Sequence, residues 1–355
     1  DDVYITTRLE RRSEEENIHY VRGNAHNVAF LKSILSSDYD AIVDFMHYAT
    51  DGFRNCIDLF LNSTKQYIFF SSSRVYADIG MQKITEGAPR LLDVSNDKEF
   101  LSTDEYPLAK ARNEDQLRNS GLSNWTIIRP YITYNVDRLQ LGIYEKEDWL
   151  YRVLQDKTVV IGEDMITRFT TMTYGYDVAE CLAKIIGNTK ALGEAVHITT
   201  DQATRWKNII DIYTKVLENQ LGRRPKFIYL KDSNDLCTVY KGHKYQLMYD
   251  RLYDRVFDDS KLYSICGHMQ FEDIEKSLTQ CAQDFLNNIS FKDISPVSMA
   301  YMDRLASEKT SLKEFSTRSA RIKYIAQRYI PMPIMWYLRL YNLAALCRDR
   351  IICVR

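Results

Sequence analysis

A tyrosine and a lysine four residues apart are the two side chains in this sequence best placed to do chemistry. They stand in Tyr106-Pro-Leu-Ala-Lys110, inside a stretch predicted to be a long helix, where residues i and i+4 share one face. Tyrosine titrates near pH ~10, and an ammonium one turn away favours its phenolate. The pair could therefore move a proton to or from a substrate hydroxyl. The alternative is a chance spacing on the surface, since the chain has 25 tyrosines.

A run of serines lies upstream of this pair. The segment Ser71-Ser72-Ser73-Arg74-Val75-Tyr76 directly follows an apolar run at 67–70 that predicts a buried strand. Open α/β sheets bind ligands beyond the carboxyl ends of their parallel strands. A serine hydroxyl there could therefore bind a substrate oxygen beside the tyrosine. The alternative is a serine-rich turn that only caps the strand.

Apolar runs that predict strands alternate with patterns that predict helices. The predicted strands are Val3–Thr7, 18–21, 41–45, 67–70, 125–129, Val159–Gly162 and 197–199; the predicted helices are 28–35, 52–61, one within 103–119, 149–154, 177–186, Trp206–Leu221 and 271–285. Strands that alternate with helices are joined by crossovers and form parallel sheets. The sequence therefore predicts an α/β fold.

Composition excludes several classes of protein. The 355 residues are 45% hydrophobic and 27% charged, as in a folded globular protein, and the net charge of −1 argues against a wholly basic nucleic-acid coat protein. We expect no specific nucleic-acid partner. The seven cysteines form no Cys-x-x-Cys pair, which fits a reducing compartment better than a disulfide framework. The six histidines do not cluster, so we expect no metal site.

The C-terminal part of the chain has a charge of its own. Residues 309–355 include ten basic and two acidic residues, and 334–352 form an apolar, aromatic pattern that predicts a helix. Peripheral membrane contact through 331–355 is one hypothesis, because such a helix is attracted to anionic lipid. Packing against its own domain or a second subunit is the alternative. No apolar run reaches the roughly 18 residues of a transmembrane helix, and no signal peptide is visible, so we expect a cytoplasmic protein.

Several further segments match patterns that occur together in one family. They are DAIVDFMHYAT at 40–50, SSSRVY at 71–76, Glu86 with Pro89, Tyr106-x-x-x-Lys110 with Glu114, TIIRP at 126–130, DVA at 177–179 and VFDDSKL at 256–262. Together they cover roughly residues 1–287. In these segments the chain resembles the extended short-chain dehydrogenase/reductase superfamily, in its NAD-dependent epimerase/dehydratase group. The resemblance implies a Rossmann-type, doubly wound parallel sheet with a smaller C-terminal substrate-binding region, here followed by an extra basic helical tail.

The resemblance also implies roles for particular residues. Tyr106 would be the general acid/base, and Lys110 would lower its pKa and bind the nicotinamide ribose. Ser72, chosen among the three serines by its place before Val75-Tyr76, would position the reacting oxygen. Pro130 and Tyr131 would lie near the nicotinamide. The cofactor itself performs the hydride transfer.

The family's glycine-rich turn, which holds the cofactor's pyrophosphate, has no counterpart in this sequence. Either that first strand and turn precede the sequence given, which we favour, or the protein is a degenerate member. Cofactor choice depends on the end of the strand Val3–Thr7. Arg8 there favours NADP, whereas Glu10 nearby would suit NAD. Asn24 stands where the family often has an aspartate that contacts adenine.

Substrate contacts are implied for Asn135 and for Arg168, which could hold a phosphate. We expect a nucleotide-sugar substrate and an epimerase or reductase in surface-polysaccharide or sugar-nucleotide biosynthesis. Dehydration is less expected, because Ser73 and Arg74 stand where dehydratases have acids. The family often forms homodimers.

The rival hypothesis is a non-catalytic nucleotide- or RNA-binding protein on a degenerate dehydrogenase scaffold. The predicted domains are 1–290, a nucleotide-binding domain interleaved with substrate-binding regions at about 131–175 and 200–290, and a basic helical extension at 291–355.

Overall fold

The computed structural model describes residues 2–36, 39–239 and 243–330. The strands are β1 Val3–Thr7, β2 Ile18–Arg22, β3 Tyr39–Asp44, β4 Thr64–Phe70, β5 Trp125–Pro130, β6 Ile132–Tyr134, β7 Val159–Gly162, β8 Phe169–Thr170, β9 Met172–Tyr174, β10 Glu194–Ile198, β11 Thr204–Arg205 and β12 Phe227–Leu230. The helices are α1 Val28–Ile34, α2 Thr50–Arg54, α3 Ile57–Asn62, α4 Leu91–Val94, α5 Lys98–Leu101, α6 Tyr106–Arg118, α7 Lys146–Leu154, α8 Glu163–Ile166, α9 Gly175–Ile185, α10 Trp206–Leu221, α11 Asn234–Val239, α12 Lys244–Gln246, α13 Ser260–Cys266, α14 Ile274–Asn287, α15 Pro296–Leu305 and α16 Arg318–Tyr329.

A four-stranded parallel sheet in the order β10-β5-β4-β3 forms the centre of the fold. β1 and β2 form a separate parallel pair. Among the described residues, β1 is bonded only to β2, and β3 only to β4. Each of these two strands therefore keeps one open edge.

Two hydrophobic cores lie on opposite faces of the central sheet. Tyr67 and Phe69 of β4 belong to one core, which includes side chains of α2, α3 and α6. Ile68 belongs to the other, with side chains of α9 and α13. Because successive strand residues point to opposite faces, this alternation places helices on both sides of the sheet. The predicted doubly wound α/β fold is confirmed.

Most predicted elements are present with small shifts of their ends. The predicted helix over 52–61 is wrong in one respect: it is two short helices, α2 and α3, separated by Asn55 and Cys56. Asn55, at the break, has low helix propensity, which accounts for the interruption. The prediction for α10 is confirmed, and that helix ends at Gly222, whose left-handed φ of 66° suits glycine.

The chain divides into two compact units. One contains 2–135, 168–204 and 248–278, and the other contains 136–167, 205–247 and 279–330, in each case as far as the structure describes them. All predicted site residues lie in the first unit. The predicted domain boundaries stay a prediction.

The second unit contains a buried ion pair. Arg152 of α7 donates to Asp303 of α15 at 2.7 Å and to Glu308 at 2.8 Å, and both Arg152 and Asp303 are fully buried. Asp303 also accepts hydrogen bonds from Thr310 and Tyr324. Residues from α15 to α16 are thereby tied to α7.

No helix in the described ranges is long and apolar enough to span a bilayer. The helix predicted over 334–352, and with it the hypothesis of membrane contact through 331–355, lies outside the described residues.

Candidate active site

The first turn of α6 carries the candidate acid/base tyrosine. Tyr106 is the first helical residue, after Glu105 at the N-cap, and Pro107 follows it. Proline suits the first turn, because its missing N–H would have no partner inside the helix. Tyr106 is partly buried, whereas Lys110, one turn later, is 2% exposed. The helix therefore presents the phenol at an accessible end and the ammonium in the interior.

Lys110 is held at the carboxyl end of the central sheet. Its Nζ donates to the carbonyl of Phe70, the last residue of β4, at 2.5 Å, and to that of Met46, just past β3, at 3.1 Å. Nζ lies 6.0 Å from the Tyr106 ring centroid. Burial lowers the pKa of Lys110 to about 8, against the attraction of Asp44. The ammonium is fixed near the tyrosine, and one of its three protons has no acceptor among the described residues.

The three serines after β4 have different hydrogen bonds. Ser71 Oγ donates to Glu114 at 2.5 Å, and Ser73 Oγ donates to the carbonyl of Arg129 at 2.8 Å. Ser72 Oγ accepts from the backbone amide two residues on, at 3.2 Å, and caps the 3₁₀ turn Ser73–Val75. Among the described residues, only the Ser72 hydroxyl proton of the three has no acceptor. The structure therefore distinguishes the three serines.

A buried polar network supports the serine turn. Arg129 forms a bidentate pair with Glu114, Nε to Oε1 at 2.8 Å and Nη2 to Oε2 at 2.5 Å. Burial alone would raise the pKa of Glu114, but the Arg129 guanidinium outweighs it and holds that pKa below its usual range. Arg129 also donates to the Tyr76 hydroxyl, which contacts His197. Burial lowers the pKa of His197 to about 3, so this imidazole is neutral.

Two residues beside Tyr106 were given no role by the sequence analysis. The Arg74 guanidinium carbon lies 5.3 Å from the Tyr106 ring centroid. The centroids of the His47 and Tyr106 rings are 5.0 Å apart. Burial lowers the pKa of His47. The signal for Arg74 was its place in the serine segment, and that for His47 was its place just after β3.

Pro130 and Tyr131 follow the Arg129 network along the chain. Pro130 is the last residue of β5. Tyr131 is 8% exposed, and its hydroxyl accepts from Arg251 at 3.1 Å. Burial raises the pKa of Tyr131 to about 12, so it stays a neutral phenol.

Arg8 and Asn24 lie in exposed segments after β1 and β2. Asn24 Oδ1 accepts from the backbone amide of His26 at 3.1 Å. No contact joins either residue to Ser72 or Tyr106 in the described part of the chain. The structure therefore does not bring them together with the Ser72, Tyr106 and Lys110 group.

The two predicted substrate contacts lie elsewhere in the first unit. Asn135 follows β6 and packs against Gly175, the first residue of α9. Arg168 is 44% exposed and lies 3.6 Å from Asp254. Within the described ranges, no three His, Cys, Asp or Glu residues cluster as metal ligands would.

Solved structures with the same fold were found, although no protein-family model and no curated protein matches the chain. Bordetella bronchiseptica WbmH in complex with NAD+ is 15% identical, with a TM-score of 0.60 over 81% of this chain and 91% of that one. UDP-N-acetylglucosamine 4-epimerase from Methanobrevibacter ruminantium is 16% identical, with a TM-score of 0.60 and the same coverage. UDP-glucuronic acid 4-epimerase from Bacillus cereus, in complex with NAD, is 16% identical, with a TM-score of 0.55 over 77% and 83%. At these identities the comparisons establish the fold.

Proposed function

We propose that this protein is an NAD(P)-dependent nucleotide-sugar epimerase or reductase. The observation that carries the proposal is the Ser72 hydroxyl, whose proton has no acceptor among the described residues while both neighbouring serines are bonded to the protein. It stands on the turn whose Arg74 lies against Tyr106. A serine hydroxyl and a phenol are together the kind of pair that can position and deprotonate an alcohol.

The residues around Lys110 fit the ribose end of a nicotinamide cofactor. Its Nζ donates to two carbonyls and has a third proton for a ribose hydroxyl. When bound, the cofactor would supply the hydride acceptor and donor. Similar structures that contain NAD support this part of the proposal. The preference for NADP, inferred from Arg8, stays a prediction.

Proton transfer at the sugar would be the task of the protein's own side chains. Ser72 would donate to the reacting oxygen and orient it. The Tyr106 phenolate would take the proton of the sugar hydroxyl as that carbon is oxidised to a ketone, and the phenol would return it on reduction. Return of the hydride to the opposite face of the ketone would make the enzyme an epimerase. Net reduction of the sugar would make it a reductase.

A nucleotide sugar is the substrate class that the similar UDP-sugar epimerases support. Asn135 and Arg168 stay predicted contacts for it. A cytoplasmic location, a homodimer and a role in surface-polysaccharide or sugar-nucleotide biosynthesis are further predictions.

The test is Tyr106→Phe in the full-length protein. Loss of the phenolic proton should lower kcat by about 10²- to 10⁴-fold on a panel of UDP- and dTDP-sugars. NAD binding, followed by fluorescence titration, should change little. Tyr176→Phe, at a tyrosine that is 72% exposed, is the matched control and should keep full activity. Undiminished turnover in Tyr106→Phe, or no binding of any nicotinamide nucleotide by the wild type, would refute the proposal.

A further inference from the structure

Arg74 is an arginine with two side-chain donors that no described residue accepts from. It lies in the turn Ser73–Val75, and its side chain is 15% exposed. Nε and Nη2 are both buried and make no hydrogen bond in the described part of the chain. Buried polar groups nearly always find partners. Two donors on one edge of this guanidinium therefore remain for an acceptor that the described residues do not provide.

The charge around Arg74 is also incompletely balanced. Its nearest acid is Asp250, but Nε to Oδ2 is 3.6 Å, too long for a hydrogen bond. Asp250 is in direct contact with Arg251, and its Oδ1 accepts from Arg255 Nε at 3.0 Å. Three guanidinium groups thus share one carboxylate, and Glu105 at the start of α6 adds only a weaker attraction. The cluster has a net positive charge that an anion would neutralise.

This positive charge lies at the reacting end of the candidate site. The Arg74 guanidinium carbon is 5.3 Å from the Tyr106 ring centroid, and Ser72 caps the same turn. Burial lowers the pKa of Arg74 in spite of Asp250, as expected for a cation that lacks sufficient counter-charge. An anionic group bound here would belong to the part of the substrate next to the reacting carbon.

We propose that Arg74 binds a carboxylate on the sugar ring, so that the preferred substrates are nucleotide-activated uronic acids. This inference rests on the proposed function. Adjacent N–H groups on one edge of a guanidinium match the two oxygens of a carboxylate. A neutral hydroxymethyl group at the same place would leave the positive charge uncompensated. The substrate's diphosphate has similar chemistry, but it is separated by the sugar from the carbon that Tyr106 would serve.

The experiment measures binding of two sugars that differ only in this group. UDP-glucuronic acid and UDP-glucose are titrated calorimetrically, with NAD present, into the wild type, Arg74→Gln and Arg74→Lys. The wild type should bind UDP-glucuronic acid at least about tenfold more tightly than UDP-glucose. Arg74→Gln should remove most of that preference and leave glucose binding within about twofold. Arg74→Lys should be intermediate, because it keeps the charge and loses the paired donors.

Arg54→Gln is the matched control, since Arg54 is 66% exposed on α2, and it should behave as the wild type. Equal loss for both sugars in Arg74→Gln would assign Arg74 to the diphosphate or to folding and would overturn the inference. So would a wild type without preference for the glucuronate. If Arg74→Gln does not fold, the wild-type preference and Arg74→Lys decide the question. Failure of the wild type to bind either NAD or NADP would instead refute the proposed function itself.

Discussion

Lys110 is the buried group whose charge the proposed cofactor binding needs. Burial lowers its pKa to about 8, so below pH 8 the ammonium is present and above it the proton is lost. We expect NAD affinity of the wild type to fall as pH rises through about 8. A hydrogen bond from a charged donor contributes about 1.5–3 kcal/mol, so the loss should be about tenfold or more. Fluorescence titration of NAD between pH 6.5 and 9.5 measures it.

Lys110→Met should bind NAD weakly, because it lacks the ammonium. Its affinity should stay constant over this pH range, because methionine has no proton to lose. Lys65→Met is the control, at a lysine that is 80% exposed, and it should keep the pH dependence of the wild type. A wild-type affinity that stays constant across pH 8 would contradict the role of the ammonium. This measurement needs no knowledge of the substrate.

The sequence predicted the candidate site residues, but not how the protein holds them. The acceptors of Lys110 are carbonyls 64 and 40 positions away along the chain, and no spacing rule reveals such contacts. The partners of Ser71 and Ser73, which leave Ser72 distinct, come from α6 and β5. Arg74 was missed as a binding residue because its significance depends on acids and arginines brought near it only by folding.

At the scale of elements, β4, β5 and β10 were predictable because their apolar runs are buried in the central sheet. β4 is an example, since it is bonded to both β3 and β5 and its residues 66–69 are buried. The resemblance further implied a glycine-rich strand that this sequence does not contain. That expectation stays a prediction.

Hydrogen exchange should differ sharply between β1 and β4. Val3, Tyr4 and Ile5 of β1 are exposed and the strand is bonded on one side, whereas β4 is buried and bonded on both. Amide exchange slows with the free energy of the opening that exposes the amide. We expect β1 amides to exchange at least about 10²-fold faster than those of β4, as read by mass spectrometry of peptides from each strand. Equal protection would show that another strand covers the open edge of β1 in solution.

At the scale of the whole molecule, the basic C-terminal region was predicted as an extension, yet its described part takes part in a compact unit. The ion pair of Arg152 with Asp303 joins α7 to α15 across 151 positions of sequence. Sequence patterns did not indicate this ion pair, because in the sequence Arg152 and Asp303 look like ordinary surface charges. A test of whether 296–330 is integral to this unit is to break the pair.

Arg152→Met should lower the free energy of unfolding by about 3 kcal/mol or more, since removal of one partner leaves the other as an uncompensated buried charge. Of the described cations that pair with Asp303, Lys157 at 3.5 Å would then remain. Arg138→Met is the matched control, because its pair with Glu145 is exposed on both sides (46% and 40%) and should contribute at most about 1 kcal/mol. Urea unfolding followed by circular dichroism measures both variants. If both variants lose the same small free energy of unfolding, then 296–330 does not depend on α7. The region would then behave as the separate extension that the sequence predicted.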